Sequence, residues 1–255
     1  MMENFSMYKK VALPRSFLDK FKWGNDLVIC MDTVVANGRM LSILLDKSKM
    51  KSNTVVVFLP GMSGDPYGLR FTQYADSFTK SGIDFARFNS WTTPQELVKK
   101  TVDEIVEDTS VVISWLAKRG YQKIGLMGKS FGGGIALTIH DPRIFSIVAL
   151  APAFSIGKKS NFSKWFSKSL EKLNKAADIS LTSSDVNSKR PIGIIHGTAD
   201  EVISITNSQK LASVIDNATL FPVQGANHSY TKKDHFERVM TLAIDFFKGH
   251  INDSN

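Results

Sequence analysis

Residues 123–140 read KIGLMGKSFGGGIALTIH, and this stretch decides the fold. KIGLMG is a short apolar run of strand character, and FGGGIALTIH carries apolar residues at helical spacing. Between them Gly128-Lys129-Ser130-Phe131-Gly132 forms a G-x-S-x-G turn from strand to helix. A serine at the tip of so sharp a turn needs small neighbours, and glycines two before and two after it let the strand and helix approach. A glycine-rich turn can be no more than a tight turn. Phosphate binding requires G-x-x-x-x-G-K-[ST], and Gly125 stands too close to Gly128 to complete that spacing.

Working outward, the same alternation of strand and helix recurs. Residues 27–35 (LVICMDTVV) and 39–45 (RMLSILL) flank Asn37-Gly38, a type I′ hairpin signal, and are expected to open the sheet as an antiparallel pair. Buried strands are expected at 54–60, 83–89, 123–128, 145–152, 191–197 and 218–223. Helices are expected at 67–80, 95–119, 131–140, 204–215 and 232–250. Thr93-Pro94-Gln95-Glu96 supplies a helix start. The pattern predicts an α/β protein with a mostly parallel, doubly wound sheet of about eight strands, forming one domain over residues 1–255.

One interval breaks the rhythm. Residues 153–190 are long for a crossover and are expected to form a small helical cap inserted over the strand ends. Phe162, Trp165, Phe166, Leu170 and Leu173 recur there at helical spacing, with Lys158, Lys159, Lys164, Lys168, Lys172 and Lys175 on the other face. Such a helix can pack on the body as a lid, line a substrate pocket with Phe162, Trp165 and Phe166, or rest on an anionic membrane surface.

Composition narrows the classes of function. The chain has 255 residues, 43% of them hydrophobic, with a net charge of +8 and a pI near 9.4. Outside the cap the lysines are dispersed and no nucleic-acid motif accompanies them, so no nucleic-acid partner is expected. Cys30 is the only cysteine, which excludes an intrachain disulfide and a cysteine-rich zinc site; it is expected to be a plain buried residue. No metal or organic cofactor is implied. The N-terminus lacks the apolar run of a signal peptide and no window reaches the length of a membrane span. A cytoplasmic protein without stable membrane insertion is expected.

Serine needs a base, and histidine accepts a proton near neutrality. His228, in Gly225-Ala226-Asn227-His228-Ser229, follows the strand ATLFPV and so falls at the carboxyl end of the sheet, where catalytic groups of open α/β sheets collect. His196 ends a strand beside a glycine turn and is expected to fix that loop, while His235 and His250 on the last helix are expected to face solvent. The carboxylate that orients the base is assigned to Asp200, four residues past the strand PIGIIHG, with Glu201 as its rival. The amide of Phe131, at a helix N-terminus, is aimed at a developing oxyanion. A second amide is assigned to Met62 in Pro60-Gly61-Met62-Ser63-Gly64.

These stretches resemble the α/β-hydrolase superfamily from about Val28 to Phe247. LPGMSG resembles the oxyanion loop and GKSFGG the nucleophile elbow. HGTADEVI resembles the acid turn and GANHSY the histidine loop of small bacterial carboxylesterases and monoacylglycerol-lipase-like proteins. The order Ser130, Asp200, His228 is the nucleophile, acid, base order of that fold. The resemblance implies a serine hydrolase that cleaves small-molecule carboxylic esters through an acyl-enzyme, with thioester, peptide or lactone cleavage, or a ligand-binding protein of low turnover, as alternatives. Two departures stand out. Pro60 replaces the histidine common in the oxyanion loop, removing a side chain that could fix it. Lys129 takes the elbow position where histidine is frequent, and is expected either to favour negatively charged acyl groups or, as the preferred reading, to sit at the rim.

Overall fold

The computed structural model describes residues 28–62, 64–97, 99–153, 155–156, 180–181, 186 and 189–251. Strands β1 (Val28–Ala36) and β2 (Arg39–Lys47) form the expected antiparallel hairpin. Asn37 and Gly38 take φ of 45° and 80°, the left-handed pair that a type I′ turn requires. The chain continues through β3 (Thr54–Leu59), α1 (Leu69–Lys80), β4 (Asp84–Phe88), α2 (Pro94–Leu97), α3 (Val102–Lys118), β5 (Lys123–Lys129), α4 (Phe131–Thr138) and β6 (Ile144–Leu150). Then follow β7 (Ser155–Ile156), β8 (Ser180–Leu181), β9 (Ile192–Gly197), α5 (Ile205–Val214), β10 (Ala218–Val223) and α6 (Lys233–His250).

Eight strands make one sheet in the order β1-β2-β4-β3-β5-β6-β9-β10. β2 pairs with β4 antiparallel, and every pair from β4 to β10 is parallel. β3 to β6 and β9 are buried along their whole length or nearly so, because helices cover both faces. Val55, Val57 and Leu59 of β3 join α3, α4 and α5 in one core, and Val56 and Phe58 join α1 and α6 in the other.

The stretch expected as one helix over 95–119 is two. Thr101 caps α3 by accepting the amide of Glu104 at 3.2 Å, while Glu104 accepts the amide of Thr101 at 2.8 Å. This reciprocal capping box begins a new helix, so the apolar periodicity alone overran a true start. Of the expected cap at 153–190, β7 and β8 pair as a two-residue parallel ladder, whereas Phe162, Trp165 and Phe166 lie outside the described residues, as does the Cys30 side chain.

A buried ion pair braces the neighbourhood of the sheet's carboxyl end. Arg87 and Asp46 are both fully buried and meet through two 2.9 Å hydrogen bonds. Arg87 also donates to the Pro66 carbonyl at 3.1 Å and to Thr72 Oγ1 at 3.2 Å. The pair thus ties β2 and β4 to the segment that leads from the β3 loop into α1.

Candidate active site

Ser130 sits between β5 and α4 with φ 53° and ψ −117°. Such a backbone is costly for a residue with a Cβ, and the surrounding structure holds it there. The Ser130 amide donates to the Leu150 carbonyl at 2.8 Å, and its own carbonyl accepts from Ala153 at 2.9 Å and Gly134 at 3.1 Å. The elbow glycines are sterically required. A Cβ on Gly128 would stand 2.1 Å from the Gly132 carbonyl oxygen, and one on Gly132 would stand 2.3 Å from the carbonyl oxygens of Leu59 and Pro60.

His228 and Asp200 reach this serine from the loops after β10 and β9. His228 Nε2 is 3.1 Å from Ser130 Oγ, and His228 Nδ1 is 2.7 Å from Asp200 Oδ2. A carboxylate only accepts, so Nδ1 carries the proton and Nε2 offers its lone pair to the serine hydroxyl. Tyr230 anchors the histidine loop: it is buried, has φ 50°, and donates its hydroxyl to the Ile195 carbonyl at 3.0 Å. Glu201, the rival acid, meets His228 differently, accepting its backbone amide at 3.3 Å.

Asp200 is fixed on all sides. Its Oδ1 accepts the amides of Val202 at 2.9 Å and Ile203 at 2.8 Å, and its Oδ2 lies 3.2 Å from His196 Nε2. That nitrogen also faces the Ile203 carbonyl at 3.0 Å, a pure acceptor, so it bears the proton that Asp200 shares. Ser208 Oγ holds the other ring nitrogen at 2.7 Å. His196 therefore fixes the acid loop as expected, and does so partly through the carboxylate itself. Burial by itself would raise the Asp200 pKa, but hydrogen bonds from His196, His228 and the Ile203 amide outweigh it and hold the carboxyl well below its usual range. His228 is lowered from its usual value, by burial first and by the Lys129 charge, against the raising effect of the Asp200 hydrogen bond.

Lys129 overturns the rim reading. Its side chain turns inward, leaving the residue 7% exposed, with Nζ 3.4 Å from His228 Nε2 and 5.1 Å from the centroid of the Tyr230 ring. Burial pushes its pKa down to about 7; Asp200 and Glu201 oppose the shift and Arg70 adds to it. His235, expected to face solvent, keeps only 13% of its side chain exposed. His250 Nδ1 instead donates to the Phe246 carbonyl at 2.8 Å at the end of α6.

The β3 loop lies beside Ser130, since a Cβ on Gly61 would come 3.5 Å from Ser130 Cβ. With no histidine in this loop, Trp91 does the fixing. Its Nε1 donates to the Gly61 carbonyl at 3.1 Å, and its ring packs edge-on against Phe131 at 5.7 Å. The Gly64 amide closes the turn on the same carbonyl at 2.9 Å. Sequence reasoning missed Trp91; its only signal was an aromatic residue three positions after the end of β4.

The fold, the elbow and the sheet order define an α/β-hydrolase. Residues 90–254 match the prolyl oligopeptidase family of peptidase class S9, and the chain belongs to that family. No curated protein sequence matches it. Among solved structures it is similar to Est1E from Butyrivibrio proteoclasticus, at 15% identity and TM-score 0.67, covering 87% of this chain and 98% of that one. An esterase of Pyrococcus furiosus aligns at 17% identity and TM-score 0.71, over 89% and 92% of the two chains. A dienelactone hydrolase from Anabaena variabilis aligns at 16% and 0.67, over 89% and 99%. No described helix is long and apolar enough to cross a membrane.

Proposed function

We infer that the protein is a serine hydrolase of small carboxylic esters, with Ser130 as nucleophile, His228 as base and Asp200 as the acid that orients it. The observation that carries this reading is the unbroken relay of 3.1 Å and 2.7 Å contacts joining the three side chains at a left-handed elbow. Ser130 Oγ attacks the ester carbonyl as His228 Nε2 takes its proton. The amides of Phe131 and Met62 receive the oxyanion, and His228 returns the proton to the leaving alcohol. Water then repeats the sequence on the acyl-enzyme. The esterases and the dienelactone hydrolase among the similar folds favour an ester.

The family match supplies one reason to keep a peptide reading, since the same relay cleaves amides when a pocket holds the peptide. Phenyl esters and aminoacyl anilides, offered side by side with Ser130→Ala as control, separate the two. Faster turnover of anilides would make the protein a peptidase. Fluorophosphonate labelling of the Ser130→Ala variant at the wild-type rate would remove Ser130 as nucleophile.

A further inference from the structure

Lys129 is a buried cation whose surroundings are already engaged. Asp200 accepts from His228, Val202 and Ile203 and lies against His196, and the Glu201 carboxylate accepts the His228 amide. The Tyr230 hydroxyl is given to Ile195. Among the described residues no carboxylate comes within ion-pair distance of the Lys129 nitrogen. Its one side-chain hydrogen-bond contact among those residues is the His228 Nε2 atom that also faces Ser130 Oγ.

That arrangement is unstable as a resting place for an ammonium. Burying a charge without a counter-charge is strongly unfavourable, and a ring-nitrogen lone pair contested by a serine hydroxyl satisfies at most one of three donors. Arg70, on the first turn of α1, adds a second positive charge that acts on Lys129. Among the described residues Asp200 and Glu201 act on Lys129 only from beyond ion-pair distance, and the ammonium adjoins Ser130 through His228 Nε2.

We propose that Lys129 is the specificity-determining residue of this site and pairs with a carboxylate carried by the acyl part of the substrate, so that half-esters of dicarboxylic acids are preferred over neutral esters. The proposal rests on the serine-hydrolase reading. A substrate carboxylate beside Lys129 gives the ammonium its counter-ion and draws it from His228 Nε2, leaving that lone pair to Ser130. A carboxylate is favoured because one negative charge with two acceptor oxygens pairs directly with a single buried ammonium.

Monophenyl glutarate and phenyl valerate have the same chain length and leaving group, with a carboxylate in one where the other has a methyl. Wild-type kcat/KM should favour the glutarate by about tenfold or more, and Lys129→Met should lower that preference by about tenfold to a hundredfold, mainly through KM. Lys129→Arg should keep most of it. In the wild type, free glutarate should slow fluorophosphonate labelling of Ser130 where valerate does not, a measurement that needs no variant to fold. Equal use of both esters by the wild type, together with equal protection by both acids, overturns the proposal. So does an equal loss on both esters in Lys129→Met, which a residue that only steadies His228 would give. If the wild type hydrolyses neither ester and is not labelled at Ser130, the serine-hydrolase reading itself has failed and takes the proposal with it.

Discussion

Trp91 holds the Gly61 carbonyl at 3.1 Å while its ring rests on Phe131, so a single indole touches both segments proposed to carry the oxyanion amides. Turning the Gly61–Met62 peptide would move the Met62 N–H, and the indole hydrogen bond opposes that rotation. Trp91→Phe keeps the ring packing and removes the donor. It should lower kcat by about tenfold with a smaller change in KM, since the loss falls on oxyanion stabilisation once removed. Steady-state kinetics on phenyl valerate checks this, and an unchanged kcat would leave Trp91 with packing alone.

The two adjacent acids make different contacts with His228, and their variants should separate. Asp200→Asn places an amide against Nδ1 and favours the wrong tautomer, so kcat should fall by about 10³ to 10⁴. Glu201→Gln leaves the 3.3 Å backbone contact with a neutral acceptor and should cost less than about tenfold. The reverse ranking in kcat would transfer the orienting role to Glu201.

Much of the fold was legible because its signals are local. The Asn37-Gly38 turn, the apolar strand runs and the glycine spacing around Ser130 each follow from short-range sterics. Asp200 and His228 could be picked out because residues just past parallel strands gather at one end of the sheet. The break at Thr101 was also written locally, as Thr101 and Glu104, but the continuous apolar stripe masked it. Trp91 and Lys129 were not legible in this way. The contact of Trp91 with Gly61 joins the loop after β4 to the β3 loop, and the inward turn of Lys129 brings it against His228, which lies far along the chain. Neither direction is encoded by neighbours in sequence.

The Arg87–Asp46 pair predicts a stability effect that spares the relay. Removing one partner leaves the other charge buried and uncompensated, so Arg87→Met should cost about 3 to 5 kcal/mol in chemical denaturation. Adding Asp46→Leu to that variant should recover a large part of the loss. A double variant no more stable than Arg87→Met alone would mean that the Pro66 and Thr72 contacts of Arg87, and not its charge pairing, carry the effect.

The pH dependence should differ between the two esters, because Lys129 and His228 must be in opposite charge states. Attack requires neutral His228, whose pKa lies below its usual 6.5 through burial and the nearby Lys129 charge, with Asp200 pulling the other way. For phenyl valerate, kcat/KM should therefore be full above pH 6.5 and fall as pH drops through the lowered His228 value. Lys129→Met removes one of the lowering causes, so this acid limb should move to higher pH. Monophenyl glutarate adds a second requirement, a protonated Lys129, whose pKa is pushed down to about 7 by burial in the free enzyme. Its kcat/KM should be bell-shaped, declining as pH rises through that region, with the two apparent values belonging to the coupled pair. Once the substrate carboxylate is bound it favours the ammonium, so the alkaline limb of kcat should lie at higher pH than that of kcat/KM. Parallel profiles for the two esters in the wild type would show that Lys129 does not titrate against the substrate, and an acid limb that moves down in Lys129→Met would remove its charge as a cause of the lowered His228 value.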